Sequence, residues 1–240
     1  MSTAGGARAE RPPLRTFPSR AEAAAEIVRA CRRLDARGLI AGQDGNVSAR
    51  LAAGRLLVTP AGMTKALVAA GDLVEVDLAG NPVGGTRRPS SELRMHLRVY
   101  AARADVGAVV HAHPPIATGF AVAGEDFLTP VLPEIILQLG GVPLLPFAVP
   151  GGEELAATLD AHLARHDAFL LANHGATTLG TTVELALQRM ESLEHAARIL
   201  LTARQLGRVN PLTPHQVRAL TPGDDADAAP TAARMPRTPE

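Results

Sequence analysis

Two histidines close an apolar run. The stretch VGAVVHAHPP, residues 106 to 115, reads as a buried strand that ends in His111 and His113. Side chains at i and i+2 of a strand share one face, so both imidazoles can reach one point. Pro114 and Pro115 stop strand pairing there and fix the exit of the chain. Two rigidly placed imidazoles are half of a typical zinc site. A third, His174, follows a second apolar strand, AFLLAN, and precedes a glycine. If the two strands lie near each other, three nitrogens converge and a fourth position stays open. That openness marks a catalytic site rather than a structural one. The other histidines, His96, His162, His166, His195 and His215, sit in helical or loop contexts and read as structural or solvated.

A carboxylate has to work beside such a metal, and PSSE, residues 89 to 92, offers one. The serine pair precedes an apolar-periodic helix and reads as its cap. A capped helix N-terminus also attracts anions through its free N–H groups and dipole. Ser90 and Ser91 would add hydroxyls, and Glu92 would stand in the first turn as a general base. Two more turns, GQDGNVSAR at 42 to 50 and TPAGM at 59 to 63, contain glycine at strand ends. Such turns can form nests of N–H groups that cradle a phosphate, although most are only turns.

These groups need a scaffold. Ser19 and Glu22 stand at capping-box spacing before a helix that stops at Gly38. GNVSAR and RLLVTP form a hairpin through LAAG, and LVEVDLAGNPVGG is a strand running into a turn. Helices follow over PSSELRMHLRVYAAR, PPIATGFAVAG, EELAATLDAHLARH and the long TVELALQRMESLEHAARILLTARQLG. Further strands fall in GVPLLPFAVPGG and AFLLANHG. Strands and helices are mixed without regular alternation. The expectation is an α/β fold: a single three-layer α/β/α domain over residues 19–220 with a central mixed sheet. Residues 1–18 read as a disordered leader and 221–240 as a disordered tail rich in Pro, Ala and Asp.

Composition narrows the partners. Lys plus Arg equals Asp plus Glu at 24 each, which gives no electrostatic reason for a nucleic acid or an acidic membrane. No tryptophan and one tyrosine, Tyr100, argue against a stacking platform for single strands. One cysteine, Cys31, permits neither an internal disulfide nor a cysteine-rich metal site, which fits a reducing cytoplasm. The N-terminus lacks the apolar middle of a signal peptide, and no apolar run reaches spanning length.

The motifs GNVSAR, TPAG, SSE, HAH and ANHG occur in one order over roughly residues 20 to 210. That series resembles the zinc-dependent class II aldolase and adducin family, which includes fuculose- and rhamnulose-phosphate aldolases and ribulose-phosphate 4-epimerase. The resemblance implies an α/β/α domain with a mainly antiparallel sheet, and a homotetramer with sites at subunit interfaces. It implies His111, His113 and His174 as zinc ligands, and Glu92 as both a resting ligand and the base. It implies Asn46, Thr59, Gly62, Ser90 and Ser91, with Gly45 beside them, as the phosphate-binding positions. Manganese or cobalt could replace zinc on such ligands. The activity implied is retro-aldol cleavage of a ketose phosphate through a metal-stabilised enediolate, giving dihydroxyacetone phosphate and an aldehyde.

The chain departs from that pattern in one respect. Fuculose-phosphate aldolases use tyrosines to handle the proton on the aldehyde oxygen, and here no tyrosine follows Tyr100. Glu134, the one ionisable side chain in FLTPVLPEIILQLGG, is the candidate for a replacement acid, a second metal contact or a substrate selector; otherwise it is a carboxylate at a helix start. Decarboxylation of a 3-oxo sugar acid phosphate uses the same enediolate and needs no such acid. A dehydratase of the methylthioribulose-phosphate type and a non-catalytic adducin-like module are the remaining readings.

Overall fold

The computed structural model describes residues 19–220, so the leader and tail read from the sequence lie outside the described residues. Helix α1 (Arg20–Ala36) opens on the expected cap, with the Ser19 hydroxyl accepting the Glu22 N–H at 3.2 Å. The predicted hairpin follows as β1 (Asn46–Leu51) and β2 (Arg55–Val58), then β3 (Val74–Asp77) and β4 (Pro82–Gly84). Helix α2 (Leu93–Ala102) leads into β5 (Ala108–Ala112), and Pro115 starts α3 (Pro115–Val122). The remainder is β6 (Leu144–Leu145), α4 (Glu153–Thr158), β7 (Ala168–Leu171), β8 (Gly175–Gly180), α5 (Val183–Gln205) and α6 (Pro214–Leu220). The helix expected through EELAATLDAHLARH is therefore shorter than its pattern, giving way to turns after Thr158.

Eight strands form one sheet in the order β4-β3-β2-β1-β5-β8-β7-β6. Every pairing is antiparallel except β6 with β7. Alternation along the strands divides the interior in two. Val47, Ala49, Ala108, Val110 and Leu170 face a core closed by α1, α3 and α5. Leu56, Val76, Val109, Phe169 and Leu179 face a second core closed by α2 and α4. The expected three-layer α/β/α domain with a mainly antiparallel sheet is borne out. No helix among the described residues is long and apolar enough to cross a membrane.

Strand β1 has a polar face, which breaks the rule of an apolar interior. Asn46, Ser48 and Arg50 point toward α2, where Glu92, His96 and Tyr100 stand four residues apart. The Asn46 amide donates to Glu92 Oε2 at 2.8 Å. The Ser48 hydroxyl lies 2.6 Å from His96 Nδ1 and 2.8 Å from the Tyr100 hydroxyl. Arg50 donates to the Tyr100 carbonyl at 2.8 Å and lies over its ring. Buried polar groups are costly unless paired, so this seam fixes the rotation and height of α2 against the sheet.

Candidate metal centre

Register places the first histidine. His111 is paired with Asn46 of β1 on one side and Thr177 of β8 on the other, at the centre of the sheet and with no exposure. His113 lies just past the end of β5, where its N–H donates to the Leu39 carbonyl at 3.1 Å. The third histidine arrives by a route the sequence reading missed. β7 does not neighbour β5; β8 lies between them. The segment GATTLG lacks the alternation of a predicted strand, yet it pairs with both, and the β7–β8 turn carries His174 to the end of β5. The signal was present in its threonines and leucine after a glycine turn.

Asn173 adopts φ 55 to make that turn, a conformation asparagine tolerates. The following Gly175 is required by contact: a Cβ there would lie 2.5 Å from His113 Cδ2 and 2.6 Å from the Ala112 carbonyl. Gly45 combines φ 72 with equal crowding, since a Cβ would lie 2.9 Å from the His111 carbonyl.

The three rings converge with centroids 4.8 to 5.1 Å apart. Their coordinating nitrogens lie within 4.8 Å of one another. Tautomers follow from the outer nitrogens. His111 Nδ1 is 2.9 Å from the Ala176 carbonyl, and His113 Nδ1 is 3.3 Å from Asp44 Oδ2. Both partners are acceptors, so each Nδ1 carries the proton and each Nε2 presents a lone pair. Those two Nε2 atoms lie 3.2 Å apart. Facing lone pairs repel unless a cation lies between them. Two nitrogens bonded to one ion at about 2.05 Å with tetrahedral angles are about 3.3 Å apart, so the spacing fits a divalent metal. Burial, with His111 and His174 alongside, pushes His113 down to about 4, which keeps it neutral as a ligand must be.

Glu92 completes the cluster. Oε2 is 3.2 Å from His111 Nε2, and Oε1 is 3.2 Å from His174 Nε2. Burial pushes its carboxyl up, but positive charge on the facing His111 and His174 imidazoles outweighs this and holds it well below the usual carboxylate range; a cation bound by neutral rings would act in the same direction. Its position in the helix differs from expectation. Glu92 is the N-cap residue of α2 rather than a member of the first turn, and no side chain caps the helix. The Ser90 hydroxyl instead accepts the Glu92 N–H at 3.3 Å. Standing outside the helical turns lets the carboxylate fold back over the sheet end.

The predicted phosphate positions come together around this carboxylate to different degrees. Ser90 N–H donates to the Thr59 carbonyl at 3.1 Å, and Pro60 bridges Pro89, so the TPAG and PSSE turns run side by side. Thr59 itself is fully buried, and its hydroxyl accepts the Val47 N–H at 3.1 Å. Its visible task is to brace the turn. Gly62 is exposed with φ 66 and open space around it, and Ser91 is exposed beside Gly151. Buried Asn46 keeps an unpartnered Oδ1.

Glu134 is exposed at the start of a π-helical turn (Ile135–Leu139), with no hydrogen bond or ion pair to the cluster. Tyr100 is buried and bonded to Ser48. Cys31 is buried, and burial pushes its thiol up to about 12, so it is inert. Concavity alone misleads here. A cleft of about 810 Å³ between the end of α1 and α5, lined by Arg37, Gln138 and Arg198 among others, contains none of the three histidines or Glu92.

A mainly antiparallel sheet that holds three convergent imidazoles and a carboxylate at one edge of its strands defines a metal-binding α/β/α domain. Residues 25–201 match the family described as Class II Aldolase and Adducin N-terminal domain, and the chain belongs to that family. It is 32% identical to 3-oxo-tetronate 4-phosphate decarboxylase of Pectobacterium atrosepticum, over 88% of this chain and 94% of the relative. It is 33% identical to L-fuculose phosphate aldolase of Methanococcus maripaludis, over 72% and 93%. The solved structure of YgbL from Klebsiella pneumoniae superposes with a TM-score of 0.80 at 32% identity, covering 85% of this chain and all of that one.

Proposed function

We propose that this protein is a divalent-metal-dependent carbon–carbon lyase that decarboxylates a 3-oxo sugar acid phosphate. The observation that carries the choice is the match along 94% of a 3-oxo-tetronate 4-phosphate decarboxylase. The burial of Tyr100, and the lack of any hydrogen bond or ion pair between Glu134 and the cluster, support it, because decarboxylation asks for no acid at an aldehyde oxygen.

His111, His113 and His174 would hold zinc, with manganese or cobalt as substitutes, and being neutral they leave the ion's charge uncompensated. The bound ion supplies Lewis-acid stabilisation of the negative charge that develops as carbon dioxide departs. The C1–C2 bond breaks, its electron pair moves into C2 and the C3 oxygen, and C2 must then gain a proton. Glu92 delivers that proton from solvent. Asn46 holds Glu92 Oε2, so Oε1, which lies against His174 Nε2, is the oxygen that would face the substrate carbon. The turns bearing Gly45, Asn46, Gly62, Ser90 and Ser91 hold the phosphate, and Thr59 braces them. The products are carbon dioxide and dihydroxyacetone phosphate. A cytoplasmic homotetramer completes the proposal.

Aldol cleavage is the second reading, favoured by the fuculose-phosphate aldolase match. It gives dihydroxyacetone phosphate with an aldehyde in place of carbon dioxide. The test is to load the protein with zinc and offer 3-oxo-tetronate 4-phosphate and fuculose 1-phosphate separately. Equimolar carbon dioxide and dihydroxyacetone phosphate from the first supports the proposal. Aldehyde release from the second, with no gas from the first, replaces it with the aldolase.

A further inference from the structure

Lys65 is a buried cation with no part in the chemistry above. It opens a short 3₁₀ turn (Lys65–Leu67) and is only 3% exposed. Its Nζ donates to the Gln43 carbonyl and to the Met63 carbonyl, both at 2.8 Å. Those acceptors belong to two different turns, GQDGN and TPAGM, which the sequence singled out separately as phosphate cradles. One ammonium therefore ties both turns from beneath.

Its partners are neutral. Among the described residues no carboxylate forms an ion pair with Lys65, and both of its hydrogen-bond acceptors are peptide oxygens. A buried cation without a carboxylate partner is destabilising, so lysine is a poor choice if the task is only to join two loops. Burial pushes its pKa down, opposed by neighbouring Cys31, Asp44 and Glu92. The positive charge, paired directly with no carboxylate, thus lies where the two turns meet, on the carbonyl side of the Met63 peptide. In a trans peptide the N–H points opposite to the carbonyl, and no peptide among the described residues is cis. Aiming the Met63 carbonyl at Nζ turns the Thr64 N–H away from the ammonium.

We propose that Lys65 is a specificity-determining and positioning residue: it fixes the 43 and 63 turns together and supplies the charge that makes them select a phosphate dianion. This rests on the reading of those turns as the phosphate site given above. Lys65 does not touch the reacting carbon, so its effect falls on binding of the phosphorylated ligand and not on metal chelation.

The test compares two chelating probes on the zinc-loaded protein by calorimetry: phosphoglycolohydroxamate and its unphosphorylated counterpart, glycolohydroxamate. The wild-type protein should prefer the phosphorylated probe. Lys65→Gln, which is neutral but keeps an N–H donor, should lose about tenfold of that preference while glycolohydroxamate affinity holds within about twofold. Lys65→Arg should keep the preference within about threefold. Equal weakening of both probes in Lys65→Gln, or an undiminished preference, overturns the inference and leaves the phosphate reading intact. If Lys65→Gln does not fold, Lys65→Arg decides alone, and loss of preference in a folded, charge-keeping variant overturns it. A wild-type protein without preference overturns the phosphate reading and the inference together.

Discussion

Gly175 and His113 share one space: the ring of His113 occupies the position that a side chain at 175 would need, with Cδ2 only 2.5 Å from the missing Cβ. Gly175→Ala should push the ring aside and press on the Ala112 carbonyl, 2.6 Å from the added Cβ, so the end of β5 must also give. Zinc affinity in a chelator competition is expected to fall about 10- to 100-fold, the range seen when a ligand loses its orientation. Unchanged affinity in a folded variant would count against His113 as a ligand.

Asp44 orients the same ring from the other side, 3.3 Å from Nδ1, although its side chain is nearly half exposed. Asp44→Asn keeps the shape and removes the charge. A loss of about tenfold in zinc affinity is expected, at the mild end for such partners. The d–d spectrum of the cobalt-loaded variant should shift; an unaltered spectrum with unaltered affinity removes Asp44 from the site.

Glu92→Gln separates metal holding from proton transfer. The three imidazoles remain, so zinc should still bind, but turnover should drop about 10²- to 10⁴-fold. Solvent deuterium incorporation into dihydroxyacetone phosphate should fall in parallel. Full exchange at the wild-type rate would assign the proton to another group.

Tyr100→Phe removes one hydroxyl from the polar seam and spares the reaction. The Ser48–His96 contact at 2.6 Å remains, so the expected cost is about 1 kcal/mol of stability, read from denaturant unfolding. Activity should stay within about twofold. A large fall in turnover without loss of stability would return Tyr100 to the chemistry.

Metal removal should be visible in folding as well as in activity. Zinc at about 100 times its dissociation constant is expected to add about 2.7 kcal/mol to unfolding, since repelling lone pairs gain a shared cation. Calorimetry with and without chelator measures this directly, and an identical unfolding temperature in both would contradict the site.

Much of this molecule was legible in its sequence, because local signals and tertiary roles agree for many elements. The Ser19 cap, the β1–β2 hairpin and the strand into His111 all follow from period and turn chemistry. The convergence of His111, His113 and His174 follows from the sequence only on the condition that two strands lie near each other, or from the family resemblance that the ordered motifs carry. What was hidden depends on pairing across distance. β8 carries glycines at both ends and threonines within, a weak signal until β5 and β7 flank it. Glu92 moved one place, from first turn to N-cap, because its carboxylate answers to Asn46 and two imidazoles rather than to helix propensity. Lys65 gave no sign at all, since nothing local distinguishes a lysine that reaches inward from one that reaches to water.

The alternation along β1 ties correct folding to correct chemistry. A slip of one residue in its pairing would turn Val47 and Ala49 toward α2 and bury Asn46 and Ser48 under α1. Glu92 would lose its amide donor in the same event that stranded two polar side chains in hydrocarbon. Misregistration of β1 is thus penalised by the same contacts that position the carboxylate, so folding and chemistry are checked by one event.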